Sequence, residues 1–136
     1  MFINGEWVDA IAGGTFAVTN PATGEEIGRV PDGGPDDARA AIAAADAAFP
    51  AWAATTPFER ADVLLKAWQL MNTRADDLAR LMTTEQGKPL RAARTEVTYA
   101  ADFLRGFAEE GRRIGGEWLP SGRSDQSTRS SRRSPA

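Results

Sequence analysis

From Pro35 to Gly111 apolar residues recur every three or four positions, and proline, glycine and capping residues cut the run at intervals. That spacing places them on one face of an α-helix, so this part of the chain can bury its apolar residues only as several amphipathic helices packed together. Asp36 and Asp37 follow Pro35 in the first turn of the first helix, where acids favour the helix dipole, and Ile42, Ala45 and Phe49 keep helical spacing. Pro50 is expected to end it. Thr56-Pro57-Phe58-Glu59 combines a capping box with proline at the first helical position, ahead of a stripe of Ala61, Leu64, Leu65, Trp68 and Met71. A third helix opens around Thr73 or Asp76, carries Leu78, Leu81 and Met82, and stops near Gly87. The fourth runs from about Pro89 to Gly111, its stripe read as Ala93, Val97, Ala100, Leu104 and Phe107, with Gly115-Gly116 as a stop beyond it.

The first thirty residues follow a different rule. In "FINGEWV", Asn4-Gly5 sits between apolar residues, a strong signal for a tight hairpin. In "TFAVTNPATGEEIGRV", Phe16 and Val18 alternate, "NPATG" supplies turn chemistry, and Ile27 and Val30 lie on the return strand. Two short antiparallel hairpins are expected before the helices.

After "EWLPSG" the pattern changes again. Residues 123–136 contain no Leu, Ile, Val or aromatic residue and hold four arginines against Asp125, a net of +3. Residues 1–122 hold 12 Lys and Arg against 18 Asp and Glu, a net of −6. A Ser/Arg-rich stretch cannot bury enough apolar area to offset its ordering, so 123–136 reads as a disordered tail beside a structured 1–122.

Composition narrows the chemistry. The 136 residues include no cysteine and no histidine, which removes thiol nucleophiles, disulfides, His-based triads and the ordinary zinc sites. No stretch approaches the ~18 apolar residues of a membrane span, and "MFINGEWVDA" lacks the features of a signal peptide, so a cytoplasmic setting is the default. What remains for catalysis is carboxylates, lysines, hydroxyls and Tyr99.

Each candidate has a plainer reading. "EQGKP", residues 85–89, sets glycine beside lysine, but a phosphate loop needs two spaced glycines and a Ser or Thr after the lysine, between strand and helix. "GGPDD" lacks the three spaced glycines of a dinucleotide fingerprint. Asp76-Asp77 and Glu109-Glu110 occupy adjacent helical positions, which do not face each other, and read as solvated surface. Glu85 and Lys88 read as a helix-terminal ion pair, and Tyr99 as core packing more than a pocket wall. The tail arginines could contact phosphates, yet no aromatics interleave for stacking and the body is acidic, so no nucleic acid is expected, nor a membrane.

The order of these segments resembles the opening of NAD(P)-dependent aldehyde dehydrogenases, with the succinate-semialdehyde group the nearest likeness. The likeness runs from about Phe2 to Gly122, and "TTEQGKPLRAARTEV" with "FAEEGRRIGGEWLPS" are its most specific strings. It implies an α/β family fragment: N-terminal β-hairpins, about four α-helices, and no dinucleotide-binding sheet. In that family the catalytic cysteine, the glutamate base, the oxyanion asparagine and the cofactor-binding glycines and lysine lie in later sequence. No catalytic, cofactor-binding or metal residue therefore carries over to this chain. NAD or NADP would belong to the longer protein, with none bound by this chain alone. The abrupt Ser/Arg change where a strand leading to a "PWNFP"-like motif would follow suggests a truncated or frame-shifted product, inactive alone. The alternative is a non-catalytic helical interaction or oligomerisation module that associates with itself or with full-length subunits.

Overall fold

The computed structural model describes residues 1–115, 118–120, 123–124 and 127–129, with the backbone alone for 118–120 and 127–129. Strands β1 (Phe2–Ile3) and β2 (Glu6–Trp7) form a minimal hairpin turned by Asn4 and Gly5, both at positive φ (54° and 83°), as the Asn-Gly pair demands. Strands β3 (Thr15–Thr19) and β4 (Glu26–Pro31) pair antiparallel, with a register shift at Val18/Thr19. Their connection is closed by Asn20: its carboxamide oxygen accepts from Ala22 N (2.9 Å), its carbonyl from Gly24 N (2.7 Å), and Gly24 takes φ 76°.

Four helices follow: α1 (Pro35–Ala53), α2 (Pro57–Thr73), α3 (Ala75–Gln86) and α4 (Leu90–Gly111). The expected stop at Pro50 does not occur. Helix α1 runs through it: proline removes the bond to the carbonyl of Asp46, an exposed residue, and Ala54 N resumes the ladder to Pro50 O at 3.1 Å. The α2 start is the expected capping box. Thr56 Oγ1 accepts from Glu59 N (3.2 Å) and Thr56 N donates to Glu59 Oε2 (2.7 Å). Thr73 closes α2 rather than opening α3, its hydroxyl donating to Gln69 O at 2.9 Å.

Helix α4 is the hub, packed against both α2 and α3. Its buried face is Ala93, Val97, Ala101 and Ala108 with Leu104 half-buried, so the sequence-derived stripe is corrected at two positions: Ala100 and Phe107 are exposed. The reason is packing distance. Alanines at 0% exposure (Ala79, Ala93 and Ala101) let backbones approach closely, and a phenylalanine in that seam would hold them apart. Around Ala79, Ala93 and Val97 gather Met71, Leu78, Met82 and Leu90. Ion pairs Arg112–Asp62 (2.8 Å) and Arg94–Asp76 (2.8 Å) tie α4 to α2 and α3, while Arg105 and Arg112 lie over the rings of Trp68 and Phe58.

Helix α4 ends at Gly111 with Arg112 as its cap, short of the expected glycine pair, and Gly116 lies outside the described residues. Beyond it, β5 (Trp118–Pro120) pairs antiparallel with β6 (Ser127–Arg129). These last three residues fall in the stretch expected to be a disordered tail. Main-chain pairing does not require apolar side chains, which is why a Ser/Arg composition alone misses it. Residues 125, 126 and 130–136, with the rest of that expectation, lie outside the described residues.

Candidate functional site

The stretch 85–89 is a bend with a fixed geometry. Gly87 ends α3 in the left-handed conformation (φ 70°, ψ 12°), its N–H bonding Thr83 O at 2.9 Å. A Cβ there would stand 3.1 Å from Pro21 Cγ, so the same glycine also lets the β3–β4 turn approach. Lys88 pairs with Glu96 on α4, correcting the expected partner Glu85. The ammonium already faces a carboxylate and helices flank both sides, so no phosphate cradle forms here.

Beside this bend an open groove of about 890 Å³ runs along α4, lined among others by Lys88, Arg91, Thr95, Glu96, Tyr99 and Phe103. Tyr99, expected to pack in the core, is instead 65% exposed on the groove wall. It meets Phe103 edge-on at 4.9 Å, and Phe103 stacks on Phe107 at 6.2 Å. Positions 99, 103 and 107 thus form an exposed aromatic stripe on α4, turned away from the alanine seam. Periodicity gave α4 a single stripe of Ala93, Val97, Ala100, Leu104 and Phe107, and the structure splits it, burying Ala93 and Val97 and leaving Phe107 on the aromatic side.

The paired acids behave as surface charge. Asp76 bonds Arg94 across to α4, and Glu110 bonds Arg113 one turn on (2.8 Å). The two carboxylates with displaced acidity serve helix starts instead. Asp37, 5% exposed, is held below the usual carboxylate range by the N–H of Gly34 (2.8 Å to Oδ2) and then that of Ile11 (3.0 Å to Oδ1). Glu59 is held low by the backbone N–H of Thr56 and then its hydroxyl. The structural weight of Asp37 escaped the sequence reading; its place three residues after Gly34 was the available signal.

The site therefore offers an apolar wall, one ion pair and Arg91, with no thiol or imidazole in the chain. Among the described residues no cluster of three or more acidic side chains is placed to hold a metal, and no helix is long and apolar enough to cross a membrane. A nicotinamide dinucleotide needs a strand, a glycine turn and a free helix N-terminus for its pyrophosphate. The glycines before α1 do not fit, because the Asp37 carboxylate already takes the Gly34 N–H and would repel phosphate.

Comparison with known proteins places these features. The sequence pattern of the aldehyde dehydrogenase family matches residues 7–136, through the Ser/Arg-rich stretch. A glutarate-semialdehyde dehydrogenase of Pseudomonas putida is 55% identical over 92% of this chain and 26% of its own length. A succinate-semialdehyde dehydrogenase of Escherichia coli K12, named as using NADP(+), is 54% identical over 91% of this chain and 26% of its own. The crystal structure of an E. coli NADP dependent enzyme superposes with a TM-score of 0.87, at 53% identity, over 93% of this chain and 26% of that one. The chain spans about a quarter of the length of the relatives it matches. The fold as a whole matches that solved structure, and the chain belongs to the aldehyde dehydrogenase family.

Proposed function

We propose that these residues form the opening scaffold of a semialdehyde dehydrogenase that oxidises an acid-bearing aldehyde, succinate semialdehyde first among them, to the acid with NAD(P)+, and that the 136 residues do not turn over alone. The observation that carries this is identity of 54–55% over more than nine-tenths of the chain to enzymes named for glutarate and succinate semialdehydes. Covalent capture of an aldehyde needs a thiolate, and the chain has no cysteine. Its own residues contribute position: the alanine seam fixes α4, and α4 presents the Tyr99–Phe103 groove.

Two assays test this. The purified chain with succinate or glutarate semialdehyde and NAD+ or NADP+ should give no cofactor reduction above background; robust turnover overturns the second half. A chimera carrying residues 2–122 in place of the matching segment of the E. coli relative should retain semialdehyde oxidation. A folded chimera with no activity sinks the scaffold reading.

The exposed aromatic stripe favours a second reading, that the chain acts without chemistry as a helical module binding its own copies or full-length subunits. Co-purification with full-length enzyme supports it; a strictly monomeric chain with no such partner removes it.

A further inference from the structure

We propose that Asp37 is a latch that makes the N-terminal arm, residues 1–14, and the first turn of α1 fold as one unit. Burial gives the arm little hold, with Met1, Ile3 and Val8 only half-buried. Phe2, Trp7 and Ile11 are 61%, 83% and 67% exposed, and the arm's buried apolar residue, Ala10, is small. Its two strands of two residues each cannot be stable by themselves. The contacts within the arm close the hairpin on itself: Phe2 and Trp7 rings lie 5.3 Å apart, Met1 N donates to Val8 O (2.6 Å), and Val8 N donates to Met1 O (2.7 Å).

Among the described residues, the side-chain hydrogen bond that reaches from the arm to α1 is made by one carboxylate. Asp37 Oδ1 accepts the Ile11 N–H from 26 residues away, and Oδ2 accepts the Gly34 N–H at the start of its own helix. One side chain satisfies an orphan donor of α1 and a loop donor of the arm at once, and it is the buried charged group among the described residues. Two further contacts lie beside it. The Met1 side chain rests where a Cβ on Gly33 would stand, and Asp32 N donates to Gly14 O at 2.8 Å. Asp36 plays no such part, being exposed and paired with Arg39. Asp37 thus acts as a positioning residue, aiming the Phe2–Trp7 ring pair relative to α1.

Amide hydrogen exchange on the full 136-residue chain tests this. In Asp37→Ala, exchange at Ile11, Gly34 and Val8 should rise together by at least about tenfold, while Ala93 and Ala101 in α4 keep their protection. Asp37→Asn leaves one acceptor oxygen for two N–H donors, so Ile11 and Gly34 should lose less protection than in Asp37→Ala. Asp36→Asn should change neither. The latch is overturned if Val8 and Ile11 stay protected in Asp37→Ala, if Gly34 opens alone, or if α4 opens with them.

Discussion

Two regions of this chain solve the same problem by opposite means. The α2–α4 body is held by proximity, with Ala61, Ala79, Ala93, Ala101 and Ala108 at 2% exposure or less and no large side chain fully buried. The N-terminal arm meets α1 through hydrogen bonds to a carboxylate, and its large side chains Phe2, Trp7 and Ile11 are exposed. Small residues bury little area each, so the seam gains its strength from many close contacts along whole helices. A latch concentrates its strength in one group. The first should yield to volume and the second to loss of an acceptor.

The largest expected effect is overpacking the seam. Ala93→Leu adds three heavy atoms at a fully buried position and should cost about 3 kcal/mol, read from chemical denaturation. A loss below about 0.5 kcal/mol would mean the helices can separate freely and the seam is not what holds them. Next comes the bend between α3 and α4. Gly87→Ala forces a Cβ into the left-handed conformation beside Pro21 and should cost about 1–2 kcal/mol, with Gly87→Asn milder. Equal loss for both would point to the Pro21 contact instead of backbone strain.

Thr56→Ala should remove about 1 kcal/mol by breaking the α2 cap. The carboxylates then sharpen the comparison through pH. Asp37 and Glu59 both have folded-state pKa values below the ordinary carboxylate range, so their contribution is present at neutral pH and fades as pH falls below about 4 through those lowered values. Helix starts α1 and α2, followed by amide exchange, should open in acid before the α3–α4 contact does; simultaneous opening breaks the distinction. Smallest is Phe103→Ser, which should leave stability within about 0.5 kcal/mol because the ring is half-exposed, while reducing any self-association read by sedimentation.

Much of this was legible in advance for local reasons. Asn4-Gly5, the Thr56–Glu59 box and the Gly87 stop each announce themselves because the interactions lie within four residues. Pro50 misled, since a proline removes one bond and the ladder resumes one turn on, at Ala54 N to Pro50 O. For Lys88, Glu85 is near in sequence, but the turn from α3 into α4 brings Glu96 closer.

By itself the sequence determined the hairpins, the number and approximate limits of the helices, the lack of thiol and imidazole chemistry, and the family likeness, because these depend on residue type and short-range spacing. Only the tertiary structure decided which face of α4 is buried, that Tyr99, Phe103 and Phe107 form an open wall, and that Asp37 joins segments 26 residues apart. Periodicity places residues on a helix face, but which face is buried depends on how closely the neighbouring backbones can approach, and the alanines of the seam permit the approach seen here.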